Sequence, residues 1–166
     1  MKRPGDWAGP WERSSAGWNA RGPCCAHKPH VVHFSGHGDT GAIELTSDDG
    51  AHLVPPETLT EIFRVLRDNV RVVLLNACES APQAAAIVNV IDCAVGMSDV
   101  IEDGAAIAFA AAFYEALGYG RSIQEAFDLG MIQLSAAGAD KSLAKLHKRR
   151  GVKPAEITLV NPQRPQ

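Results

Sequence analysis

Val70-Arg71-Val72-Val73-Leu74-Leu75-Asn76-Ala77-Cys78-Glu79 is the stretch that decides how this chain is read. From Val70 to Leu75 it is almost continuously apolar, which suits a parallel strand covered on both faces. It runs out at a thiol. Upstream, His30-Val31-Val32-His33-Phe34 reads as a shorter strand rich in β-branched residues, and it leads through Ser35 and Gly36 to the imidazole of His37. If the two strands lie side by side, the ring and the thiol meet at one sheet edge. Cysteine-nucleophile chemistry needs that pairing.

The segments around these strands alternate between strand and helix patterns. Gly36, Gly38 and Gly41 mark a loop, after which Ala42–Leu45 and Ala51–Val54 flank an Asp49-Gly50 hairpin signal closed by Pro55 and Pro56. Leu59, Ile62, Phe63 and Leu66 recur at helical spacing and predict an amphipathic helix over 57–68. Pro82 suits a first helical turn that Ala84 to Val88 continue, and Cys93 to Met97 reads as another short apolar strand. Asp103 is expected to cap an Ala-rich helix that reaches about Leu117 and stops at Gly118. Ser122 and Glu125 form a capping box for a helix whose buried face carries Ile123, Phe127, Met131 and Leu134. Lys141–Arg150 is expected to be a basic, weakly amphipathic helix, and Ile157–Val160 a last strand before a polar tail at 161–166. Strands alternating with helices predict an α/β layer architecture around a mostly parallel sheet. Residues 1–29, where prolines and glycines are scattered among Trp7, Trp11 and Trp18, read as an irregular leader, and 30–160 as one domain.

The totals agree with one domain. The chain has 166 residues, 46% of them hydrophobic, enough for a packed core. A net charge of −3 implies neither a nucleic acid nor a membrane partner. No apolar run approaches the ~18 residues of a membrane span, and no secretory signal pattern opens the chain. Four irregularly spaced cysteines do not suggest a disulfide framework, so a reducing cytoplasm is the expected compartment.

In open α/β sheets, sites form beyond the carboxyl ends of the strands, where His37 and Cys78 both fall. A neighbouring imidazole and a following helix N-terminus favour the thiolate, and the Gly38 N–H has no side chain to keep it from a developing oxyanion. From His30 to about Gly130 the chain resembles the CHAT family of caspase-like proteins. The resemblance is carried by His30-Val31-Val32-His33-Phe34-Ser35-Gly36-His37-Gly38, Val72-Val73-Leu74-Leu75-Asn76-Ala77-Cys78, Val95-Gly96-Met97, Asp103-Gly104-Ala105-Ala106-Ile107-Ala108-Phe109, Phe113-Tyr114-Glu115-Ala116-Leu117 and Gly120-Arg121-Ser122-Ile123. It implies a caspase-like fold and a bacterial-style cysteine endopeptidase acting on a protein or peptide substrate without a cofactor. His37 would be the catalytic histidine, Cys78 the nucleophile, and the backbone N–H groups of Gly38 and Cys78 the oxyanion hole.

By the same resemblance, Asn76 stands where caspases carry a Gln and metacaspases an Asp in the specificity pocket. The strand Gly96-Met97-Ser98-Asp99 would pair with substrate, and Asp99 would select a basic residue. A full caspase-like domain begins with a strand, a helix and a second strand ahead of the histidine strand, and residues 1–29 hold nothing able to supply them. The expectation is an N-terminally incomplete domain whose histidine strand is an exposed edge. An inactive or truncated remnant that binds a complementing or effector protein is therefore the alternative.

Other residues have plainer readings. His30 and His33 read as strand and packing residues rather than metal ligands, and Cys24, Cys25, His27 and His30 are too crowded to hold one ion well. Cys93 reads as a small buried apolar residue, Glu79 as a solvated one, and Lys145–Arg150 as an exposed helix face. The glycines at 36, 38 and 41 lack the Gly-Lys-Ser/Thr of a phosphate loop.

Overall fold

The apolar run does form a fully buried strand, beginning at Val72 rather than Val70. In the computed structural model, which describes residues 28–36, 38–39, 42–47 and 50–161, β5 (Val72–Asn76) is buried at every position. Two layers cover it. Val72 and Leu74 pack into one apolar cluster with Phe109, Phe113, Ile123 and Leu134, while Val73 and Leu75 pack into another with Leu59, Phe63, Ala84 and Ile87. A strand covered this way has no wet face, which is why its sequence is a continuous apolar run rather than an alternating one.

β5 is the second strand of a four-stranded sheet. The order is β1 (Val31–Ser35), β5, β6 (Cys93–Met97), β7 (Ala144–Lys148). β1, β5 and β6 run parallel, and β7 pairs antiparallel with β6, Met97 opposite Ala144. The register sets Val31 opposite Val72 and Ser35 opposite Asn76. A second, antiparallel sheet joins β2 (Gly38–Asp39), β3 (Ala42–Ser47) and β4 (Gly50–Val54). It is the predicted hairpin, and Ile43 brings it onto the core.

The helices follow from the patterns that predict them. α1 (Pro56–Leu66) starts on a proline and buries Leu59 and Phe63, and α2 (Ala81–Ile87) carries Pro82 in its first turn. α3 (Asp103–Gly118) and α4 (Ile123–Ala136) cover the opposite face. They cross closely because Gly130 leaves room for the ring of Phe109, which a Cβ there would meet at 2.8 Å. The capping box is present: Ser122 Oγ accepts from the Glu125 amide, and the Glu125 carboxylate accepts from the Ser122 amide at 2.9 Å. Phe109 stacks on Phe113 at 6.1 Å and meets Phe127 edge-on at 5.9 Å, fixing the α3–α4 seam.

Several expectations are corrected. The run read as a basic helix over 141–150 is instead β7. Ala144 and Leu146, two apart, turn into the core with the exposed Lys145 between them, an alternation that the flanking basic residues disguise. Ile157–Val160 is not a strand: a 3₁₀ turn at Pro154–Glu156 is followed by a single bridge between Thr158 and Ser122. Glu102 takes the cap position of α3 with no side-chain capping bond, and Asp103 is the first helical residue. Gly118 lies inside α3, and the left-handed turn that follows the helix belongs to Gly120 at φ 76°. The leader residues 1–27 and the tail residues 162–166 lie outside the described residues.

At the amino ends of the strands, the carboxylate of Asp92 accepts from Arg71 Nη1 at 2.9 Å and from Arg149. This ties the start of β5, the start of β6 and the end of β7 together. No helix among the described residues is long and apolar enough to cross a membrane.

Candidate active site

The carboxyl rim of the sheet is built by chain termination. β5 ends at Asn76, and the chain turns through Ala77, Cys78, Glu79 and Ser80 into α2. Cys78 is half-buried and unpaired, at the margin of the core cluster that α3 and α4 form. The turn is tight: Glu79 sits at φ 53°, a left-handed conformation that a non-glycine residue adopts only when its surroundings impose it.

Those surroundings come from β6. Gly96 lies directly beneath the turn, where a Cβ would stand 2.6 Å from the Ser80 carbonyl oxygen. The Ser80 hydroxyl is fully buried. It lies 2.7 Å from the Ala77 carbonyl and 3.0 Å from the Leu75 carbonyl as donor, and accepts from the Met97 amide at 3.0 Å. The Glu79 amide donates to the Asp99 carbonyl at 3.4 Å. Asn76, also buried, donates through Nδ2 to the Ala106 carbonyl at 3.1 Å and so ties the end of β5 to α3.

Beyond β6 the rim opens. Met97 is buried, while Ser98 and Asp99 are exposed. The Ser98 amide donates to the Leu143 carbonyl at 2.8 Å. Asp99 Oδ1 accepts from the Val100 amide at 2.7 Å. Ser98, Asp99, Glu102 and Asp140 line a cleft of about 390 Å³ between the β6–α3 turn and the α4–β7 turn. The Ser142 amide, donating to the Asp140 carboxylate, holds that acid below the usual carboxylate range.

The two described cysteines differ sharply. Cys93, at the amino end of β6, is completely buried. Burial, together with the negative charge of Asp92, pushes its thiol up to about 12 against a smaller opposing pull from Lys148. It is a packing residue, as expected. His33 lies against the Tyr114 ring with centroids 5.5 Å apart, and desolvation on that side lowers its pKa. Burial raises the Tyr114 phenol above its ordinary value. The His30 carbonyl accepts from the amides of Arg71 and Val72, so His30 acts as a strand residue through its backbone.

Of the predicted site residues, the structure brings Cys78, Asn76, Met97, Ser98 and Asp99 to one rim. Gly38 opens β2, opposite Ile43. His37 lies outside the described residues. Sequence reasoning missed Ser80, and it read Gly96 only as part of the substrate-pairing strand and not as the floor of the turn. Their signal was positional: a small polar residue two places after the thiol, and a glycine inside an otherwise apolar strand.

Comparison with known proteins adds one finding. The family model of the CHAT domain matches residues 21–150, most of the chain. No curated protein matches it.

Proposed function

The chain belongs to the CHAT domain family, and from that premise we propose that it is a caspase-like cysteine endopeptidase using a dyad of Cys78 and His37. One observation carries the reading. β1 and β5 are adjacent parallel strands with Ser35 opposite Asn76, and Cys78 follows Asn76 by two residues just as His37 follows Ser35. Equal offsets in sequence from a paired position, on strands ~4.8 Å apart, support a thiol–imidazole pair.

The chemistry then proceeds in two steps. The Cys78 thiolate attacks a peptide carbonyl carbon, forming the C–S bond and an oxyanion that the Gly38 and Cys78 N–H groups receive. The C–N bond breaks as His37 gives its proton to the leaving amine, leaving a thioester. Water, losing a proton to His37, attacks the thioester, and the acid and the thiolate separate. Substrate contact is assigned to Asn76, Met97, Ser98 and Asp99, of which Ser98 and Asp99 are the exposed ones. The carboxylates of Asp99, Glu102 and Asp140 around one cleft favour a basic side chain there. The setting is bacterial and cytoplasmic, with a protein or peptide substrate and no nucleic acid or membrane partner.

Cys78→Ala and His37→Ala are expected to abolish cleavage of a peptide library while leaving the thermal midpoint unchanged. Undiminished cleavage by either variant removes the dyad.

A second reading has its own support. Among the described residues, no strand pairs with the outer side of β1, and β1 carries neither Pro nor Lys to discourage pairing. An inactive member that binds a complementing or effector protein through that edge predicts no turnover and a complex on a sizing column.

A further inference from the structure

Ser80 occupies the N-cap position of α2, yet its hydroxyl makes no capping bond to that helix. It points the other way. It reaches back to the carbonyls of Leu75 and Ala77 and sideways to the amide of Met97, at 2.7–3.0 Å, with no exposure to solvent. One of those carbonyls belongs to the residue immediately before Cys78, and the amide belongs to the last residue of β6. A single oxygen thus joins the turn that presents the thiol to the strand rim assigned to substrate. The left-handed Glu79 between them needs such a restraint, and Gly96 leaves the space for it.

We propose that Ser80 is the positioning residue of Cys78, its hydroxyl fixing the thiol-bearing turn to the end of β6 so that Cys78 meets its imidazole partner in register. This rests on the Cys78–His37 reading above. Ser80 acts through the backbone of its neighbours and takes no part in bond making.

The test is the rate of Cys78 alkylation by iodoacetamide between pH 5 and 9, followed by peptide mapping on the full chain. Wild type is compared with His37→Ala, Ser80→Ala and Ser80→Thr. The rim carboxylates Glu79, Asp99 and Glu102 are common to all four proteins, so differences between profiles belong to the substituted groups. Cys93 reports the folded state, because it stays unlabelled only while buried.

An imidazole held beside the thiol sustains reaction at mildly acidic pH. His37→Ala and Ser80→Ala are each expected to lower the rate at pH 6.5 by about tenfold or more, with the alkaline plateau preserved. Ser80→Thr, which keeps the hydroxyl, restores the wild-type profile. A merely structural role lowers the thermal midpoint without moving the profile of folded molecules. An unmoved profile in Ser80→Ala beside a shifted one in His37→Ala overturns the positioning role alone. An unmoved profile in His37→Ala overturns the dyad and this inference with it. If Ser80→Ala exposes Cys93 to labelling, Gly96→Ala is read in its place with the same expectation, since it displaces the turn while keeping every hydrogen-bonding group.

Discussion

Replacing Gly96 by Ala tests how rigidly the turn after β5 is seated. The added Cβ would lie 2.6 Å from the Ser80 carbonyl oxygen and 2.8 Å from Ala81 Cα, both backbone atoms. That is about 0.8 Å short of ordinary contact, and no side-chain rotation relieves it. Either the turn or β6 must retreat by that distance. β6 is held by a ladder on each side, so the turn gives way. Overpacking of this size costs about 1–3 kcal/mol. For a chain of this size, that lowers the melting midpoint by roughly 3–10 °C. The same displacement moves Cys78 relative to the β6 rim, and for the proposed peptidase a 1 Å misplacement of reacting groups costs about 100-fold in rate. Calorimetry supplies the first number, and turnover of a cleaved library peptide supplies the second. A variant that melts within a degree of wild type and cleaves at the wild-type rate would refute the seating argument.

Two further outcomes concern stability. Glu125 is held below the ordinary glutamate range by the Ser122 amide and hydroxyl, with Arg121 adding to the effect. A carboxylate whose folded pKa is depressed stabilises fully above its unfolded value near 4.3 and loses that contribution as pH falls through the folded value. Ser122→Ala is therefore expected to flatten the acid limb of a melting-temperature profile between pH 3 and 6; an acid limb as steep as wild type contradicts the capping-box account. Asp92→Ala removes the acceptor shared by Arg71 and Arg149, whose side chains are 46% and 47% exposed and can rehydrate. The loss is about 1–2 kcal/mol, discounted from a fully buried pair for that exposure, and is read as a shift in urea midpoint; an unchanged midpoint denies the triad a structural role.

The apolar strands and the amphipathic α1 were legible because burial on two faces, or on one helical stripe, imposes a pattern that neighbouring residues repeat. β7 was not. Its lysines satisfy a helical reading, and it is a strand only because β6 offers Cys93 to Met97 as a ladder, a fact stored some fifty residues away. The thiol and the rim of β6 could be picked out because they fall where strands end. The Ser80 hydroxyl could not, since a serine just ahead of a helix with proline in its first turn reads as a cap, whereas in the fold it faces the strand behind it. Asn76 is a related case. Read as a pocket residue, it spends its amide on Ala106 and so also braces α3.

The placement of Asp92 with its two arginines has a consequence for how this domain can change over time. The ionic knot sits at the amino ends of five-residue strands, and Cys78 lies beyond their carboxyl ends, about 15 Å off. That exceeds the range over which substitutions fail to add. Loops at the reactive end can therefore diversify for new targets without loosening the knot, and the knot can be reinforced without retuning the thiol.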